Sequence, residues 1–314
     1  MKIKLLTLLR IIFGLIVLLG LFYYVGFEKI ISTLLKTNPF FILLFIVLVI
    51  IIFMIEAFNY RLLLQDIHKI SYFQFFKYYL TSWSLGLFSP GRVGDLSLIY
   101  FLKKDGLDLG RGSAMYFFGK FLSVFILLVA SGLGFFVFLT KSEAIKLLSI
   151  LIALFAIFAI ILFSKKIRQT LTRLILRKYA ENFRGFSKTI KFYIQKRKIT
   201  TIFVFLSTLF KTFLQALAVL LVFFSLSESP PFMAVFYIFA MTNILSLIPI
   251  TLSGLGIREA TSVFLYGLIG IAAPITAGVY FLIMVIQFLL AIITLSIVKI
   301  NISFREKQTL SKSN

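Results

Sequence analysis

The 314-residue chain has no cysteine, one histidine (His68), one tryptophan (Trp83) and six prolines. Without cysteine there is no disulfide framework and no thiolate metal site. A single histidine rules out histidine-clustered metal centres and leaves Ser253 without an imidazole base. His68 itself stands in a basic loop beside Asp66. Acid is scarce too: 11 Asp and Glu face 33 Lys and Arg, for a formal net charge of +22. No phosphate-binding P-loop is present, so ATP-driven chemistry is not expected within this chain. Neither a metal nor another cofactor is expected.

What is abundant is apolar surface. Hydrophobic residues make up 61% of the chain and the mean hydropathy is +1.06, against about 45–50% apolar residues in an average soluble domain. A soluble core could not hide so much, so the expected class is an all-α, polytopic integral membrane protein. The basic surplus sits in loops between apolar runs, where Lys and Arg are retained on the cytoplasmic side of a bilayer. Nucleic acid is therefore not an expected partner.

A spanning helix needs about 20 largely apolar residues. Six stretches qualify: Leu5–Phe27, Pro39–Tyr60, Ser113–Thr140, Leu147–Ser164, Thr201–Leu226 and Ile275–Val298. The first reads as an uncleaved span rather than a signal peptide. Residues 1–164 form a first half, 165–200 a basic connector and 201–314 a second half of a single membrane domain. Most of the 33 Lys and Arg fall in the N-terminus, 61–77, 103–111, 165–198 and 299–314, while Lys29, Lys36, Lys141 and Lys146 fall in the alternate loops. This asymmetry predicts both termini on the cytoplasmic face of the cell membrane. In the connector, Phe183, Phe186, Ile190, Tyr193 and Ile194 recur at helical spacing. That pattern suits either a helix lying on the inner leaflet or a solvated linker.

Two further apolar segments are interrupted. One breaks at Pro90-Gly91-Arg92-Val93-Gly94-Asp95, the other at Pro249 and through Gly254-Leu255-Gly256-Ile257-Arg258-Glu259. Charge counting places the first between cytoplasmic loops and the second between outside corners. Two oppositely oriented, re-entrant hairpins half a chain apart are the sequence sign of an inverted repeat. Arg92, Lys120, Lys211, Arg258, Glu56, Asp95 and Glu259 all fall at membrane depth, where each isolated charge costs about 2.5–3.5 kcal/mol. Arg92 and Arg258 suit bidentate binding of phosphate or carboxylate. Helices restarting near Gly94 and Gly256 would add free backbone N–H groups. Asp95 and Glu259 either orient the arginines or cap those helices. Lys120 and Lys211 either join the pocket or snorkel to an interface. Glu56 lies near a span end as a peripheral partner, and Asn243 reads as a packing contact.

Enzyme signatures fall short. Gly91 through Asp95 is similar to the Gly-x-Gly-Asp of intramembrane aspartyl proteases, but Arg92 holds the first glycine's place and no second Tyr-Asp motif exists. Asp105-Gly106-Leu107-Asp108 starts like a CDP-alcohol phosphotransferase, yet the downstream aspartates are missing. No catalytic residue is assigned.

Together, Pro90–Asp95 and the run from Pro249 to Ala260 resemble the paired signatures of the lysylphosphatidylglycerol synthase transmembrane, or flippase-like, family. The second motif, Gly-Leu-Gly-Ile-Arg-Glu after a proline, is the more specific. Asp95 stands where glutamate is more frequent, Leu98 where a further arginine is common, and Ser253 replaces a glycine. The resemblance covers the membrane half only; the chain ends soon after its last span, so the aminoacyl-transferase domain and the name "synthase" are not expected to transfer. It implies translocation or binding of an anionic phospholipid or lipid-linked head group by Arg92, Asp95, Arg258, Glu259, Lys120 and Glu56, around breaks at Pro90, Gly91, Gly94, Pro249, Gly254 and Gly256. The alternative is a non-transporting partner that presents a lipid-linked substrate to a separate glycosyltransferase or synthase. Expected partners are thus membrane lipid, such an enzyme, and further copies of the chain in a homo-oligomer.

Overall fold

The computed structural model describes residues 12, 16–164, 166–167, 170, 185–247 and 254–311, without the side chains of Pro90 and 299–311. Pro249, with the rest of 248–253, lies outside the described residues, as does Phe183. Among the described residues the regular structure is entirely helical.

Five helices are long and apolar enough to cross a bilayer: α3 (Pro39–Leu64), α6 (Leu109–Phe138), α7 (Lys141–Phe163), α9 (Lys198–Ser225) and the first part of α12 (Ala273–Ser311). A sixth candidate is bent by 82° between α1 (Ile16–Val25) and α2 (Phe27–Leu34). The bend falls at Gly26, whose φ of 95° a side chain rarely adopts. What the sequence suggests as a charged loop around Glu28 and Lys29 is therefore helical. Local signals set several starts. Pro39 opens α3 behind Asn38, whose Oδ1 accepts from Phe40 N–H at 3.0 Å. Thr140 and Glu143 form a reciprocal capping box on α7.

Four shorter helices build two hairpins. In the first, α4 (Tyr72–Leu87) runs into a 3-10 turn (Pro90–Leu96) and returns as α5 (Ser97–Lys104). In the second, α10 (Phe232–Ser246) returns as α11 (Ile257–Gly267). At about 1.5 Å per residue, none of these arms spans the roughly 30 Å of hydrocarbon. Both arms of the first hairpin are tied at its base, where Asp105 accepts from Gln74 Nε2 at 2.9 Å and Tyr78 Oη at 3.0 Å. That is the structural role of an aspartate that superficially resembles part of a phosphotransferase motif.

The two halves run antiparallel. Along α3 and α9, Asn38 N–H donates to Ser225 C=O, Lys211 pairs with Glu56, and Asn59 donates to Thr208. The residue order of these contacts rises along one helix and falls along the other. Each hairpin follows its own helix of this pair, so the two enter from opposite ends of the molecule. Packing repeats under exchange of the halves: α6 lies on α10, and α12 lies on α4. Gly134 meets Tyr237 and Met241 at the first contact, and the Phe88 and Phe288 rings lie 5.3 Å apart at the second. Such an exchange is what the inverted repeat expected from the two breaks would produce.

At the end where α3 finishes, α8 (Phe186–Gln195) docks against the spans. Phe186, Ile190 and Tyr193 are buried, and the Tyr193 hydroxyl donates to Leu63 C=O at 2.9 Å. Burial pushes that hydroxyl's pKa upward. The apolar stripe is consequently packed against protein, which fits neither a solvated linker nor a stripe turned to the leaflet; Ile194 alone of these described residues is exposed.

Candidate functional site

The first hairpin can fold back only because two backbones come very close. A Cβ on Gly94 would collide with the Leu85 carbonyl and the Gly86 nitrogen, and one on Gly86 would collide with the Asp95 carboxylate. Gly91 and Arg92 both adopt φ of 56°. For arginine that left-handed conformation is strained, of the kind that costs about 1–3 kcal/mol and gathers at functional sites. It is held by the pair from Arg92 Nε to Asp95 Oδ2 at 3.1 Å and by Arg92 N–H on Ser89 C=O at 3.1 Å. In the second hairpin, Gly254 (φ 81°) lies against Ser246 and Gly256 (φ 82°) precedes α11.

The sequence suggests helices restarting near Gly94 and Gly256 with free backbone N–H groups; the N–H groups of these two glycines are themselves taken. Gly94 N–H donates to Ser89 Oγ at 2.7 Å, and Gly256 N–H donates to Glu259 Oε2 at 2.7 Å. The helix after the first break starts at Ser97 rather than near Gly94, because residues 90–96 wind into the 3-10 turn.

Arg92 and Arg258, one from each hairpin, line the same cavity of about 160 Å³. Gln215, Asn243 and Gln287 add amide groups to its wall, and Trp83 and Tyr280 add aromatic faces. Asn243, read from sequence as a packing contact, donates to Phe239 C=O at 2.8 Å and lines this cavity as well. No carboxylate is among the lining residues. Arg258 pairs with Glu259 at 3.2 Å and lies 5.9 Å from the Tyr280 ring centre. Its Nε is buried with no hydrogen-bond partner among the described residues. A buried donor without a partner is costly, and an anion in the cavity would satisfy it. Glu259, with a side chain 2% exposed, stands behind the arginine and caps α11.

A smaller cavity of about 40 Å³ lies on the other side of Arg92 and Trp83, which line both. Glu56, Asp95, Lys120, Tyr60, Tyr79 and Tyr116 line it too, with Ser82 and Leu98. It has room for water, which needs about 10–15 Å³. Lys120 approaches Asp95 at 3.8 Å, and Glu56 accepts from Lys211 at 2.5 Å. Glu56 is thus buried rather than peripheral, and Lys211 does not snorkel: their side chains are 11% and 6% exposed.

The ion pairs leave one cation over. Glu56 answers Lys211 and Glu259 answers Arg258, but Asp95 serves both Arg92 and Lys120. That surplus is shared by Arg92 and Lys120 at the smaller cavity, which both line, and of the two Arg92 also reaches the larger one. Beyond Asn243, the end of α10 turns Ile244 and Leu247 toward an apolar cavity of about 370 Å³ between α6 and α7, lined by Val124, Leu128, Leu151, Leu154, Phe155 and Phe158. Polar and apolar spaces are therefore separated by one helix end.

The family model of the lysylphosphatidylglycerol synthase TM region matches residues 8–294, and the chain belongs to that family. Comparison with curated proteins finds no match. The family is that of the membrane region of a lipid synthase, not its catalytic domain, and it ties the chain to lipid handling in a membrane.

Proposed function

We propose that this member of the lysylphosphatidylglycerol synthase TM region family moves lipids with an anionic or phosphate-bearing head group between leaflets. The observation that carries this reading is the shared cavity of Arg92 and Arg258. Two guanidinium groups with few competing acceptors favour phosphate, whose oxygens accept their paired donors. The size of the cavity, about 160 Å³, is below the roughly 300–1,000 Å³ of a pocket that encloses a whole ligand. Only the charged part of a lipid fits, and its chains stay outside. The neighbouring apolar space offers such a chain a place without a second polar barrier. Hairpins entering from opposite ends, with the site where they meet, suit alternating access from the two leaflets.

The test is transbilayer movement of a fluorescent phospholipid in proteoliposomes. Wild-type protein should accelerate it, and Arg258→Ala should return it to the protein-free rate while keeping wild-type elution and melting behaviour. Unchanged movement in Arg258→Ala would sink the proposed site. Lipid binding without movement would instead make the protein a partner that presents lipid to a separate enzyme.

A further inference from the structure

A second polar pocket lies at the end of α3, away from the hairpin tips. It measures about 340 Å³ and is lined by Arg61, Gln65, His68, Lys69, Ile70 and Ser71. Five of these six side chains can donate a hydrogen bond, and none is a carboxylate. The acid nearest in sequence, Asp66, is already paired with Arg197 at the start of α9. Among the described residues, no carboxylate pairs with Arg61, His68 or Lys69. The positive charges of Arg61 and Lys69 are thus not answered by a carboxylate among the described residues.

Its walls are fixed rather than loose. Arg61 Nε donates to Ile70 C=O at 3.0 Å, which holds the guanidinium and leaves its terminal amino groups for a ligand. His68 N–H closes the turn onto Leu64 C=O at 2.9 Å. Ser71 accepts from Gln74 N–H at 3.3 Å and starts α4. Arg61 belongs to the last turn of a spanning helix, so the pocket sits at the depth where lipid phosphates lie.

We propose that this pocket is a second anion site that takes a phosphate group, either the phosphodiester of an anionic lipid in the adjoining leaflet or free phosphate. Arg61 grips two phosphate oxygens, and Lys69 and His68 add charge and donors. Because the pocket joins the end of α3 to the start of the first hairpin, a bound phosphate fastens the hairpin's base to its supporting span. It is separate from the Arg92 and Arg258 cavity and does not depend on what that cavity carries.

The absence of native cysteine allows one dye to be placed at Gln65→Cys, on the pocket wall. The labelled protein, in nanodiscs of phosphatidylcholine, is titrated with inorganic phosphate in one series and with phosphatidylglycerol doped into the disc in another. A saturable emission change is expected, its midpoint raised at least about tenfold in Arg61→Gln with Lys69→Gln, in proportion to the charge-assisted bonds removed. If that pair of changes disturbs folding, Lys69→Gln alone, at an exposed residue, should still raise the midpoint. Response to phosphatidylglycerol only assigns a lipid ligand, and response to phosphate in the neutral disc assigns a soluble one. No response in either series, or a response that survives the substitutions, overturns the site.

Discussion

Glu56 and Lys211 meet at 2.5 Å between α3 and α9, in a buried ion pair that joins one half of the protein to the other. Removing one partner leaves the other charged and unanswered in a low-dielectric interior, which costs about 3–5 kcal/mol. Lys211→Ala should therefore lower the unfolding midpoint sharply in a fixed detergent. Glu56→Leu combined with Lys211→Leu should recover most of that loss, because both desolvation penalties disappear together. A Lys211→Ala protein as stable as wild type would mean that the pair does not hold the halves together.

Gly94 tests the fold-back of the first hairpin. In Gly94→Ala the new methyl meets backbone atoms of Leu85 and Gly86, which cannot move aside as a side chain could. Overpacking of this kind costs about 1–3 kcal/mol. The tip should also show faster amide hydrogen exchange across residues 85–96. Gly267→Ala is the control: beyond its own helix backbone, no described atom lies within 4 Å of its Cβ position, so stability should be unchanged or slightly raised. Equal effects of the two substitutions would contradict the close approach.

Lys120 is expected to set how freely Arg92 turns to a ligand. Asp95 is shared between the two cations, so Lys120 can retain the aspartate when Arg92 engages an anion. Lys120→Met should weaken binding of an anionic lipid by about tenfold, near 1.4 kcal/mol, and Lys120→Arg should not. Asp95→Asn on the Lys120→Met background should restore part of the affinity by releasing Arg92. Trp83, the one tryptophan of the chain, lines both cavities and reports binding through its own emission. Additive losses in that double variant would rule out the partner exchange.

Long apolar runs and the proline and glycine breaks made the spans and hairpins readable in the sequence, because each follows from local composition and length. Arg92 and Arg258 were readable for the same reason: a charge in an apolar run must be answered. Their common cavity was suggested by the matched breaks, but its walls were not. Trp83, Gln215, Gln287 and the tyrosines look like ordinary span residues until antiparallel packing turns them inward. The same packing decides that Lys211 meets Glu56 rather than an interface, since the register of α3 against α9 is not written in either helix alone. The N–H groups of Gly94 and Gly256 themselves are taken for a local reason. Ser89 and Glu259 lie close enough in the chain to take them first.

The most direct measurement is a double-mutant cycle on Arg92 and Arg258. The affinity of phosphatidylglycerol for wild type, Arg92→Gln, Arg258→Gln and the double variant is read from Trp83 emission in one detergent and salt. If both arginines hold one head group, the second substitution costs far less after the first, with an interaction energy of about 0.5–3 kcal/mol. Losses that add to within about 0.5 kcal/mol would mean that the arginines act on separate ligands, and would contradict a single site built from both halves.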